Sequence, residues 1–190
     1  FASPTAVGDK IVDMGFNVVS MSNNHVLDQG EEGLISSLDY WDTKGIVHYG
    51  ACRSQEDADT IKTMEVNGIK FAFLGYMEHT NGNYLSGDGA QVLYLDEEDK
   101  IKAQIEEADK MADVVVVSCH YGTEIQNELN EQQTEITPKL VEWGADLIIG
   151  TQAHTISTCG YLDKPEGGQA FVYYGLGNFI STMYDTKSLV

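Results

Sequence analysis

The sequence predicts an α/β domain with a mixed β-sheet and helical cover. Three observations carry this. Apolar, β-branched runs alternate with helically patterned segments along most of the 190 residues. The runs "FNVVSM" (16–21), "DVVVVSCH" (113–120) and "ADLIIG" (145–150) are continuous enough to be buried on both faces, as in a parallel sheet. Two glycine-marked turns, at Asn67-Gly68 and Gly167-Gly168, join flanking runs into hairpins and make the sheet mixed.

In chain order, residues 9 to 15 close a helix at Gly15, and 16–21 is a buried strand. In "EEGLISSLDYWDTKG" (31–45), Leu34, Ile35, Leu38 and Trp41 fall on one helical face, with Gly45 as the stop. "IVHYGA" (46–51) is a short strand, and 57–60 a brief helical turn. Residues 61–76 form a hairpin split at Asn67-Gly68, and a Gly/Asn-rich loop runs over 79–91. Residues 96–112 are a helix with its cap at Asp96 or a neighbour. The strand 113–120 ends in a histidine, and the helix 130–144 accommodates Pro138 with a kink. The strand 145–150 and the hairpin around Gly167-Gly168 follow. No internal repeat or linker interrupts the pattern, so residues 1–190 read as one domain. The opening at Phe1 without a methionine suggests a piece of a longer chain.

The formal net charge is −19, from 11 Lys+Arg against 30 Asp+Glu. That argues against nucleic acid and anionic lipid as partners, since both select positive surfaces. No apolar run approaches the ~20 residues needed to cross a bilayer. The acidic clusters read as solvated helix faces and turns, and none has calcium-loop spacing. Cys52, Cys119 and Cys159 form neither a CxxC pair nor a zinc pattern.

Polar residues gather where strands end. The first strand leads into Asn23, Asn24, His25 and Asp28; 113–119 leads into His120, Tyr121 and Glu124; 145–150 leads into Gln152 and His154; the last hairpin strand leads into Asn178. In open α/β sheets ligands bind outside the carboxyl ends of the strands. A single strand-end histidine is ordinarily a hydrogen-bonded structural residue, but three at three strand ends argue for one site. Imidazoles with amide or carboxylate oxygens suit a divalent ion such as Mn²⁺, Zn²⁺ or Fe²⁺, and equally suit acid–base work. His48, inside a strand, reads as core, and His79, in the loop, carries no pattern. Gly30, Gly122 and Gly177 stand beside these polar stretches, where positive φ is expected.

These stretches resemble a known family. "SNNHVLDQGEEGL" resembles the ANNHxxDxGxxG signature of CapA-type capsule-synthesis proteins, which are linked to poly-γ-glutamate. "SCHYGTEI" is similar to that family's HWGxEY motif, "WGADLIIGTQAHTI" to its GADxIIGxHPHxxQ segment, and "YYGLGNFI" to its YSLGNF motif. The resemblance implies a metallophosphatase-like, calcineurin-type fold, here without its first and last strands. It implies an Asn-His pair in which Asn24 binds metal and His25 acts as acid, with His120 and His154 as later metal ligands. The resulting assignment has His25, Asp28 and Glu124 as catalytic, Asn23, Tyr121 and Asn178 against substrate, and Asn24, His120 and His154 on metal.

Two departures weaken the implied centre. The family's early Gly-Asp strand has no counterpart in these residues, and its HxH pair reads Gln152 and His154. Amide is a poorer ligand than imidazole for borderline metals, so metal binding is expected to be weak or absent in this chain, with one ion at most. The implied function is capsule or poly-γ-glutamate biosynthesis at the cell surface, with anchoring through a segment outside this chain. The implied partners are an anionic polymer or the capsule-synthesis machinery. A non-catalytic polymer- or partner-binding relative, and a phosphoesterase for an unrelated small substrate, remain the alternatives.

Overall fold

The computed structural model describes residues 1–181. The last stretch of the expected 1–190 domain therefore lies outside the described residues. The chain runs α1 (Thr5–Asp13), β1 (Val18–Ser20), α2 (Gly30–Thr43), β2 (Val47–Tyr49), β3 (Ala51–Cys52), α3 (Gln55–Ala58), β4 (Lys62–Val66) and β5 (Ile69–Met77). It continues β6 (Gln91–Val92), α4 (Glu98–Met111), β7 (Val114–Tyr121), α5 (Glu131–Glu142), β8 (Leu147–Gln152), β9 (Cys159–Asp163) and β10 (Gln169–Tyr173).

The main sheet has the order β4-β5-β7-β8-β10-β9. Its four central strands are parallel, and each edge strand is an antiparallel hairpin partner. Asn67 (φ 55°) and Gly68 (φ 81°) make the two-residue β4–β5 turn, where Val66 pairs with Ile69. Gly30, Gly122 and Gly177 take φ of 64°, 106° and 73°, as the turns beside the polar motifs require.

Alternation along the strands sorts the sheet into two faces. Val115, Val117, Cys119 and Tyr121 of β7 join Ile148 and Val172 against Ile101, Ile105 and Ala108 of α4 and Ile136, Leu140 and Val141 of α5. Each such fully buried aliphatic contributes about 1.5–3 kcal/mol. On the other face Phe73 and Val116 pack with Tyr49, and Val18 and Val47 lie against them. β1 and β2 thus form a separate parallel pair laid across the main sheet. Leu34, Leu38 and Trp41 of α2, with Ile11 and Val12 of α1, cover its outer side with Val19.

Local expectations were corrected in detail. The strand expected at 46–51 breaks at Gly50 (φ 88°) into β2 and β3. The cap of α4 falls at Glu97, the neighbour of Asp96 as expected, but it makes no side-chain cap bond, and its carboxylate accepts from the Tyr94 N–H. Helix α5 runs through Pro138, which sits on the exposed face, and starts at a capping box between Asn130 and Gln133. Among the described residues no helix is long and apolar enough to cross a membrane.

Candidate active site

The site forms where the loop after β1 meets the carboxyl ends of β7 and β8. β1 is not hydrogen-bonded into the main sheet, contrary to the expectation of one row of neighbouring strands. It reaches the site because two glycines let the layers close. A Cβ on Gly75 of β5 would lie 2.7 Å from Ser22 Oγ and 3.0 Å from Gly50 Cα, and one on Gly50 would lie 2.8 Å from Ser22 Cβ. Ser22 therefore seats directly on the strands and delivers Asn24 to His120.

His120 is 9% exposed and Asn24 4%. The His120 Nε2–H donates to Asn24 Oδ1 at 3.0 Å, and its Nδ1 meets Thr151 Oγ1 at 2.7 Å. Burial first, then the nearby His154, holds the His120 imidazole down to about 3; Gln152 opposes this, and His79 and His25 add to it. Four of the chain's five histidines therefore bear on one spot, and His120 is neutral throughout the physiological range. His154 Nδ1–H donates to Asn178 Oδ1 at 2.8 Å, which leaves its Nε2 lone pair available in the neutral ring.

His25 Nδ1–H donates to Asp28 Oδ2 at 2.8 Å. Asn24 Nδ2 donates to Asn81 Oδ1 at 3.2 Å, and Asn81 Nδ2 lies 3.4 Å from His25 Nδ1. The Asn81 N–H in turn donates to His79 Nδ1 at 3.3 Å.

Asn24, His25, Asp28, His120, His154 and Asn178 thus come together, and three expected residues do not join them as expected. Tyr121 is fully buried on the helix side, its hydroxyl 3.0 Å from Thr137 Oγ1; as the neighbour of His120 in a strand, it must point to the opposite face. Asn23 braces the loop, accepting from the His25 N–H at 3.0 Å and donating to Met21 O at 3.2 Å. Glu124 is exposed, and no hydrogen bond ties it to a histidine among the described residues. His48 lies buried in β2, its Nε2–H donating to Asp42 Oδ1 at 2.8 Å, away from this cluster. Thr151, His79 and Asn81 were not anticipated. No local pattern marks them, because the last two lie in a loop that folds over residues 57 positions away.

Backbone strain is concentrated here. Of the five non-glycine residues at positive φ among the described residues, Asn81 (53°), Gln152 (89°) and His154 (58°) belong to the site. Such conformations cost of order 1–3 kcal/mol each and persist where the surroundings over-determine them. Gln152 lies beside the His120 ring, and its Oε1 is buried without a hydrogen-bond partner.

The donor set fits a single cation. Asn24 Oδ1 and His120 Nε2, hydrogen-bonded at 3.0 Å, are oxygen and nitrogen donors of the kind that would hold one. The orphaned Gln152 Oε1 adds a third donor to the same pocket. Among the described residues no three of His, Cys, Asp and Glu group so as to hold a metal, so an ion here would rest on the Asn24 and Gln152 amides beside His120.

Comparison with known proteins followed the same lines. The family model for bacterial capsule synthesis protein PGA_cap matches residues 1–183. The PGA biosynthesis protein CapA of Bacillus subtilis (strain 168) is 30% identical over 169 residues, covering 88% of this chain and 43% of that protein. The capsule biosynthesis protein CapA of Bacillus anthracis is 26% identical over 174 residues, covering 90% and 41%. The chain spans less than half the length of these curated relatives. Among solved structures, a 5′-nucleotidase precursor from Thermus thermophilus aligns with a TM-score of 0.60 at 16% identity, over 90% of this chain and 36% of that one. A putative 5′-nucleotidase from Staphylococcus aureus, in complex with alpha-ketoglutarate, also aligns at 0.60, with 15% identity over 92% and 35%. The shared fold is the metallophosphatase-like one.

Proposed function

Because this chain belongs to the bacterial capsule synthesis protein family PGA_cap, we propose that it carries the hydrolase cleft of a cell-surface protein of capsule or poly-γ-glutamate biosynthesis, tethered through a segment outside these residues. The observation that carries the reading is the Asn24–His120 donor pair at 3.0 Å, flanked by the His25–Asp28 couple. Asn24 Oδ1, His120 Nε2 and Gln152 Oε1 would hold one divalent cation, with His154 oriented by its bond to Asn178. A bound cation supplies charge neutralisation at a phosphoryl oxygen and acidifies a water. Asp28 holds the His25 Nδ1–H, so His25 Nε2 is the atom that passes a proton to the departing oxygen. Because His120 is neutral in the physiological range, a cation would take its Nε2 lone pair only with the ring proton moved to Nδ1, where Thr151 Oγ1 lies at 2.7 Å.

Calorimetry with Mn²⁺ and Zn²⁺ at pH 7.5, together with a panel of phosphomonoesters and phosphodiesters, tests this. One weakly held ion, hydrolysis of at least one ester, and loss of both in His120→Ala are expected. Tighter binding is expected in Gln152→His, since imidazole replaces a weak amide donor. Two tightly held ions, or no gain from Gln152→His, would overturn the assignment. The second reading is a non-catalytic relative that binds polymer or partner through the same cleft. It is favoured by Gln152 in the HxH position and by the absence, among the described residues, of a carboxylate-containing metal group. An ion bound with every ester left intact decides for it.

A further inference from the structure

We infer that the cavity beside His25 seats the departing half of the ester, and that this half is a neutral, hydroxyl-rich group, a sugar or polyol, rather than a polyanion. The inference rests on the reading of His25 as the group that passes a proton to the departing oxygen, and it names what that oxygen carries.

The cavity has a volume of about 750 Å³, within the size range of small-molecule sites. It lies between α1 and α2 and reaches the loop after β1. Of the six residues that come together at the site, His25 alone lines it. From there the cavity follows α2 as far as Tyr40, about 16 Å from Gln29 at the helical rise. The two helices touch at that end. The Tyr40 hydroxyl donates to Thr5 O at 3.0 Å, and a Cβ on Gly8 would lie 2.5 Å from the Tyr40 ring. The cavity therefore begins at the proposed proton donor and ends where α1 packs on α2.

The lining sets the chemistry. Trp41 and Met21, each 8% exposed, supply apolar surface. The Ser36 and Ser37 hydroxyls have no hydrogen-bond partner among the described residues, and Gln29 commits only its Nε2, which leaves Oε1 as an acceptor. Hydroxyls and an amide oxygen left open in this way match a ligand whose own hydroxyls both donate and accept. No lysine or arginine lines the cavity, and the Glu32 carboxylate stands there without an ion pair among the described residues. An anionic group placed here would meet an uncompensated negative charge and no cation.

Indole ¹H–¹⁵N resonances test this in chelator-treated protein at pH 7.5. The chain has two tryptophans, Trp41 at the cavity and Trp143 packed on the helix side of the main sheet. The probes are D-glucose and D-galactose, with D-glucuronate and D-galacturonate as their charged counterparts. At least one neutral sugar should move the Trp41 signal saturably while Trp143 stays fixed, and its uronate should bind at least about tenfold more weakly. Ser37→Phe, which fills the cavity, should abolish the shift. Glu32→Lys, a change at an exposed side chain without a protein partner, should close the gap between sugar and uronate. No Trp41 shift from either neutral sugar, uronates binding as well as sugars to the native protein, full binding by folded Ser37→Phe, or an unchanged gap in Glu32→Lys would each overturn the inference. Sugar binding with every ester left intact removes the hydrolase reading alone, and ester hydrolysis without a Trp41 shift removes this inference alone.

Discussion

Asp57 is placed where three parts of the chain meet. Its carboxylate accepts from Lys62 Nζ at 2.5 Å and from the Arg53 N–H at 2.9 Å, while its own N–H donates to the capping hydroxyl of Ser54 at 3.2 Å. Burial pushes the Asp57 pKa up, but Lys62 and Arg53 outweigh it and leave it below 3.8. Because the folded value is depressed, the unfolded chain binds the proton more readily. The stabilisation is therefore present above the unfolded value and lost as pH falls through the folded one. Asp57→Asn should lower the unfolding free energy by about 1–3 kcal/mol at neutral pH and flatten the remaining loss in acid. Urea titrations at pH 7 and pH 3 check this; parallel losses in both proteins would rule it out. At this same scale, residue type pointed to the site but direction did not. Asn23 and Asn24 are adjacent amides that composition and spacing do not separate, yet one braces its loop and the other meets His120. The one-residue difference between His120 and Tyr121 sets opposite faces of the sheet.

Among the elements, β5 shows how packing places chemistry. Its Gly75 is the gap into which Ser22 descends. Gly75→Ala would put a methyl 2.7 Å from Ser22 Oγ. Such overpacking costs about 1–3 kcal/mol, and it should push Asn24 away from His120. Chemical denaturation gives the cost, and the His120 ring resonances report the displacement. Combining Gly75→Ala with Ser22→Ala should recover part of the stability. A Gly75→Ala protein as stable as its parent, with unchanged His120 signals, would show the layers to be less tightly closed. Helices α2, α4 and α5 were legible from their apolar spacing and from Gly45 and Asn130 at their ends. The division of residues 46–52 was not, because Gly50 breaks the strand through a contact with Ser22 that no local pattern records.

For the whole molecule, the charge of −19 sets the terms on which a polyanion could approach. Like-charge repulsion between such a surface and poly-γ-glutamate acts over about 10 Å at 0.1 M salt. Polymer capture should therefore be negligible in chelator at low salt and rise on adding Mn²⁺ or on raising ionic strength. A pull-down with immobilised polymer across these conditions measures it. Strong capture at low salt in chelator would mean that a neutral or positive cleft, rather than cation bridging, recognises the polymer.

The order of strands and helices, the hairpins at Asn67-Gly68 and Gly167-Gly168, the family resemblance and the acidic character all follow from the sequence, because each depends on neighbours a few residues apart or on composition. The addition of His79 to the expected cluster of His25, His120 and His154, the seating of β1 in a second layer and the orphaned Gln152 Oε1 were decided only by the tertiary structure. These depend on contacts between segments up to 96 positions apart, as between Asn24 and His120. They depend also on which face of a strand a side chain takes, and a shift of one residue reverses that choice.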